Sequence, residues 1–172
     1  MNRYLFFFII VLFIGCDKTE DNIFTQTPDE RLKATADEYR EALFSAPNGW
    51  FLAVDTKKDG AYRLWMSFEE NERVGMLSDM DATFSKAGET SVVPCISSWR
   101  LKALLAPSLI FDTYSYLHIL ADPQGANNGG SNSEGLISDF EFRIVDTDNG
   151  GINLIGNYNG RLARMDRATP EE

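Results

Sequence analysis

Past Pro47-Asn48-Gly49 the apolar residues recur at every second position, and this change of period constrains the fold more than any other feature of the chain. A period of two puts alternate side chains on opposite faces of an extended strand, so each run offers one face to a core and one to water. Trp50 to Val54 opens the series. Tyr62, Leu64, Met66 and Phe68 then alternate with Arg63, Trp65 and Ser67, and Val74 and Met76 resume the pattern after Glu69-Glu70-Asn71-Glu72. Trp99, Leu101 and Ala103 alternate with Arg100 and Lys102, and Leu109 to Tyr114 is a further candidate strand. Phe140, Phe142 and Ile144 against Asp139, Glu141 and Arg143 form the cleanest alternation. The turn-forming runs Lys57-Lys58-Asp59-Gly60, Asp148-Asn149-Gly150-Gly151 and Asn157 to Gly160 separate strands, with Ile152 to Gly156 and a last strand through Met165 between and beyond them. Residues 79–94 read as a long loop, Ser115 to Ala121 fits either a helical turn or an extended edge, and Gly125 to Gly135 reads as a flexible loop.

Before Gly49 the period is 3.6. Thr27 can cap, Pro28 suits the first helical position, and Glu30 sits three residues after the cap, as a capping box requires. Leu32, Ala36, Tyr39 and Leu43 fall on one stripe, with Arg31, Lys33, Asp37, Glu38 and Glu41 on the other faces. One amphipathic helix followed by many short strands and tight turns predicts an α+β, mainly antiparallel β domain, a curled β-meander or partial barrel spanning residues 27–169.

Charge excludes one class of partner. Sixteen Lys and Arg stand against 26 Asp and Glu, a net charge of −10 over 172 residues, whereas a nucleic-acid surface needs a basic face. With one His and two Cys, neither a zinc finger nor a disulfide framework can be built, and no cofactor motif is present.

The N-terminus carries an address. Met1-Asn2-Arg3 precedes an uninterrupted apolar run from Tyr4 to Ile14, too short to span a bilayer and suited to the h-region of a signal peptide. Phe13-Ile14-Gly15-Cys16 then gives way to the polar Asp17-Lys18-Thr19-Glu20-Asp21-Asn22. A small residue just before Cys at this place resembles the lipobox of bacterial lipoproteins, with Phe13 where Leu is usual. The resemblance implies cleavage after Gly15 and lipidation of Cys16 by diacylglycerol and an amide-linked acyl chain such as palmitate. Residues 1–15 are thus expected to be a lipoprotein signal peptide, and residues 16–26 a polar tether to the membrane. Several buried chains anchor firmly, at about 0.8 kcal/mol per methylene. Cys95, in the apolar run Val92-Val93-Pro94-Cys95-Ile96, reads as a small hydrophobe.

Catalytic and metal motifs do not assemble. His118, the single imidazole, lies between Leu117 and Ile119 and reads as a half-buried residue satisfied by a backbone group; paired with Asp112 or Asp122 it would be the core of a hydrolase-like site. No Gly-x-Ser-x-Gly elbow accompanies it. Asp146-Thr147-Asp148-Asn149-Gly150-Gly151 has Gly150 at the fifth position of a calcium loop and Asn157 at the twelfth, so a hairpin turn explains it better. The Gly-rich run at 125–135 lacks the Gly-Lys-Ser/Thr ending of a phosphate loop. Trp65 shares a face with Arg63 and Ser67. Exposed, it would form a platform for a sugar ring or a partner; covered by the stripe of the N-terminal helix, it would be core. Trp50 and Trp99 read as core. The ligand-binding candidates are therefore Arg63, Trp65 and His118.

Five stretches carry a further signal: Thr27-Pro-Asp-Glu-Arg31, Ser45-Ala-Pro-Asn-Gly-Trp50, Arg100-Leu-Lys-Ala-Leu104, the run from Leu109 to Pro123, and Gly135-Leu-Ile-Ser-Asp-Phe-Glu-Phe142. Together they resemble a family of lipoproteins from Bacteroides-type bacteria catalogued as a domain of unknown function. The resemblance implies a lipid-anchored protein of the outer membrane, exposed at the cell surface and acting as an accessory to proteins that import glycans or peptides. Relatives are usually longer, so the resemblance also implies either a short member of the family or one truncated at its C-terminus. The expected function is a non-enzymatic binding module. The alternatives are a hydrolase using His118 with Asp112 or Asp122, and a structural envelope protein without a small ligand.

If Cys16 carries the anchor, Cys16→Ser will abolish incorporation of labelled palmitate and move the protein from the membrane to the soluble fraction. Membrane retention of the labelled variant would refute it.

Overall fold

The computed structural model describes residues 26–80, 94–103 and 106–171. The expected signal peptide, Cys16, the tether up to residue 25 and most of the loop expected at 79–94 lie outside the described residues. Helix α1, Pro28–Phe44, starts as its sequence dictates: Thr27 Oγ1 accepts the Glu30 N–H at 3.2 Å, and Glu30 Oε2 accepts the Thr27 N–H at 2.8 Å. These bonds to Thr27 hold the Glu30 carboxyl below its usual range. Ala36 and Leu43 are buried on the stripe, with Tyr39 packed at its edge.

Eight strands follow: β1 Trp50–Asp55, β2 Ala61–Phe68, β3 Arg73–Ser78, β4 Cys95–Ala103, β5 Pro107–Phe111, β6 Glu141–Asp148, β7 Gly151–Gly156 and β8 Leu162–Arg167. Between β5 and β6 lie two short helices, α2 Tyr116–Ala121 and α3 Gly125–Asn128. Each strand is antiparallel to the next, and β8 returns to pair with β1 from Trp50↔Arg167 to Val54↔Ala163, so the sheet is a closed barrel. The expected meander is therefore complete as a ring. Alternation could show that each strand has an inner face but not that the first and last strands meet.

The register sets the alternation into rings. Leu52 opposes Leu64 on one side and Met165 on the other, Trp99 opposes Phe111, and Phe142 opposes Gly156. Inward positions such as Trp50, Leu64, Met66, Trp99, Phe111 and Phe142 are fully buried, so the lumen is filled by its own side chains, as suits an eight-stranded barrel of this width.

Both ends of the ring are covered. Helix α1 packs across β4 and β5; the Trp50 indole donates to the Leu43 carbonyl at 3.0 Å, and Phe44 and Phe68 meet Trp99 edge-on at 5.7 and 5.0 Å. At the opposite end the β5–β6 connection brings Leu117, Leu120 and Leu136 into the core. The Gly-rich run expected as a flexible loop is folded here: Asn128 donates to the carbonyls of Ile119 and Asp122, both at 2.9 Å, and Ser131 bridges to Gly135. Ser115 to Ala121 resolves as a helix because a buried apolar stripe, Tyr116, Leu117, Ile119 and Leu120, closes the barrel end.

One residue departs from its alternation. Asp139, expected on the polar face with Glu141 and Arg143, is 2% exposed. Strand β6 begins only at Glu141, so Asp139 lies before the pleat that would turn it outward.

Met66 faces the lumen and Leu162 faces outward, 62% exposed. Met66→Ala is expected to lower unfolding free energy by about 2–5 kcal/mol, and Leu162→Ala to change it by no more than about 0.5 kcal/mol. Urea unfolding of both variants checks the register, and equal costs would contradict it.

Candidate functional site

With the lumen filled, the outer wall is where a ligand can be met. Across β1, β2 and β3 the register aligns Phe51, Trp65 and Leu77 in one outward row, with Ala53 beside Arg63 in the next. Neighbouring side chains of such a row lie within contact distance, so the row forms a continuous apolar surface. The Arg63 guanidinium sits 4.8 Å over the Phe51 ring, a cation–π arrangement that restrains an otherwise mobile side chain. The Trp65 indole donates to the Asn48 carbonyl at 2.8 Å, which fixes the ring. Asp79 locks the far end of the row: its N–H donates to the Arg63 carbonyl at 3.1 Å, and its Oδ1 accepts the Arg63 N–H at 3.0 Å.

With Thr169 and Pro170, the residues Asn48, Phe51, Arg63, Trp65, Leu77 and Asp79 line an open groove of about 620 Å³. Trp65 is half-buried in it. Helix α1 lies over β4 and β5 and not over this row, so the stripe Leu32, Ala36, Tyr39 and Leu43 does not cover Trp65. Chemically the groove offers an aromatic wall, a guanidinium donor, the Asp79 carboxylate and the Asn48 amide. Phe51, Leu77, Asp79 and Asn48 were not singled out by sequence reasoning. The signal for Phe51 was present, because inward Trp50 and Leu52 force it outward, but its adjacency to Trp65 depends on the register set by the β1–β2 turn.

His118 sits elsewhere, on α2. Its ring stacks on Phe140 at 4.3 Å and on Tyr114 at 5.7 Å. The Ser115 N–H donates to Nδ1 at 3.2 Å, and the Ser115 hydroxyl lies 3.1 Å from the same atom. This is the reciprocal cap of a short helix, with His118 in the place a Glu takes in the usual capping box. Ser115 is 1% exposed, so its hydroxyl is closed to a substrate. Burial pushes the His118 pKa down, and the Asp112 charge opposes that shift in part. Asp112 accepts from Arg100 at 2.6 Å, and Asp122 accepts from the Gln124 N–H and the Asn127 side chain at 2.8 and 2.7 Å. Cys95 is partly buried in β4, with Sγ 3.9 Å from the Tyr114 carbonyl.

Among the described residues no group of three or more His, Cys, Asp or Glu is placed to hold a metal ion, and no helix is long and apolar enough to cross a membrane. A family model described as a domain of unknown function, DUF4302, matches residues 20–172. The chain belongs to this family. No curated protein and no solved structure matches it. The family match spans the barrel, the groove and the capped end bearing His118 alike.

The lowered His118 pKa has a consequence for stability. A histidine harder to protonate when folded binds more protons in the unfolded chain, so stability is lost as pH falls. The window opens near the unfolded value of about 6.5 and ends at the lower folded value. His118→Phe, which preserves stacking, is expected to flatten the fall in Tm across that window relative to the wild type. Parallel Tm profiles would show that His118 does not contribute it.

Proposed function

We propose that this DUF4302 chain is a non-enzymatic binding module, held at the outer membrane by lipid on Cys16 and exposed at the cell surface, where it serves the uptake of glycans or peptides. The groove of Phe51, Arg63, Trp65 and Leu77 is its binding surface. One observation carries this reading: an aromatic row and a guanidinium, each restrained by a contact of its own, face outward on a wall that α1 leaves open. Restrained aromatic and Arg side chains are the groups that dominate binding energy where they meet a partner, because little freedom is lost when they are covered.

Further support comes from what the other candidate does. Nδ1 of His118 is engaged by Ser115 in a helix cap, which gives the imidazole a role in folding. The acidic balance favours neutral or cationic ligands over polyanions.

Trp50 and Trp99 are 1% exposed, so Trp65 is the indole that an added ligand reaches. Titration with soluble oligosaccharides and with peptides is expected to change tryptophan emission saturably for one of the two classes. Trp65→Ala should weaken that binding about tenfold or more. An unchanged Tm would show that the loss is not unfolding. A wild-type protein silent to both classes would overturn the proposal.

A further inference from the structure

We propose a second binding site, for a neutral saccharide, in the cleft between the β7–β8 turn and the segment leading into β6, with Tyr158 as its stacking platform. The turn is held from beneath by the buried carboxylate of Asp139. Its Oδ1 accepts the N–H groups of Tyr158 and Asn159 at 3.0 and 2.7 Å, and its Oδ2 accepts the N–H of Arg161 at 3.0 Å. Gly156 lies against this carboxylate, and a Cβ there would collide with it. The Asn159 side chain also donates to the Ser138 carbonyl at 2.7 Å, and the Asn157 N–H to the Glu141 carbonyl at 2.8 Å.

Burying a carboxylate is costly, and hairpin turns form readily without one. What the arrangement achieves is a surface turn with a fixed backbone, and its tip is Tyr158, 92% exposed. With the backbone fixed by these bonds, only the two side-chain torsions of the ring are left to order when a ligand covers it.

The cleft beside this ring has a volume of about 630 Å³, within the range of small-molecule sites. Phe140 and Ile137 form its apolar part, and Phe140 is held by its stack on His118. Glu134, Glu141 and Asn157 supply polar groups. Rings match the C–H faces of a pyranose, while carboxylates and amides exchange hydrogen bonds with hydroxyl groups. The charge favours a neutral ligand over a cation. Asp139 is engaged by three N–H groups, and Lys58 lies 2.7 Å from Glu134, holding that carboxyl below its usual range.

The cleft shares none of its lining residues with the Trp65 groove, so the two sites can be tested apart. Maltose, cellobiose and lactose are titrated into the full chain by calorimetry, with saturation-transfer NMR to locate the contact. Saturable binding of at least one is expected, weakened about tenfold by Tyr158→Ala. Tyr158→Ala and Tyr158→Phe are each made in a Trp65→Ala background, so that the groove does not contribute, and Tyr158→Phe, which keeps the ring, should retain the binding. Absence of saturable binding by all three sugars in the Trp65→Ala background, or binding there that survives Tyr158→Ala, overturns this site. Loss on Trp65→Ala instead would assign the sugar to the groove, overturning this site while leaving the proposed function standing.

Discussion

Closure of β8 onto β1 is the constraint on which the rest of this molecule depends. The pairing from Trp50↔Arg167 to Val54↔Ala163 joins the beginning of the sheet to its end across most of the chain, and it removes both free edges. A ring of eight strands has an interior of fixed width, and here the width is taken up by Trp50, Trp99, Phe111 and Phe142 with aliphatic residues between them. Closure and filling support one another. Large rings brace the wall from inside, and the closed wall keeps water from those rings.

A filled barrel still has two ends where apolar side chains would meet solvent. Helix α1 covers one, tied by the Trp50 indole to the Leu43 carbonyl and by Arg167, which donates to the Ser45 carbonyl and hydroxyl at 3.0 and 2.7 Å. The same helix thus fastens to the strands on both sides of the closing seam. The β5–β6 connection covers the other end, and its polar backbone is satisfied by buried Asn128 and by the Ser115–His118 cap. Two covered ends and a packed lumen leave the outer surface as the place where this protein can meet another molecule. Outward rows of a barrel strand are free to vary without disturbing the core, which is why a row such as Phe51, Trp65 and Leu77 can carry binding chemistry.

Much of the barrel wall was legible in the sequence because inward and outward residues differ in polarity. The capping box, the helix stripe and nearly every hairpin turn were legible for the same kind of reason, each being set by neighbours in the chain. Contacts between distant segments were not. Closure depends on matching register over more than 100 residues of chain, and alternation carries no such information. The Gly-rich run looked flexible because its order comes from close backbone packing, in which Gly130 leaves no room for a Cβ against Gly135. Asp139 was misplaced because its burial is repaid by N–H groups some twenty residues later in the chain. Of the groove, Trp65 and Arg63 were visible; their neighbours on β1 and β3 became neighbours only through the sheet.

The acidic charge acts differently at long and short range. Over a distance greater than the Debye length, about 8 Å in physiological salt, the excess of carboxylates is largely screened. Within it, specific pairs decide the local field: Arg164 with Asp148 and Asp166, Arg100 with Asp112, and Lys58 with Glu134. These exposed pairs contribute little to stability, yet they fix which surfaces keep their charge. Arg63 is placed differently, with its guanidinium over a ring, so part of its interaction is with an aromatic face that needs no counter-charge. Stacking on Trp65, Phe51 or Tyr158 is likewise insensitive to net charge. A strongly acidic protein can therefore present neutral, aromatic surfaces without conflict with its own field, which opposes anions only within that screening distance.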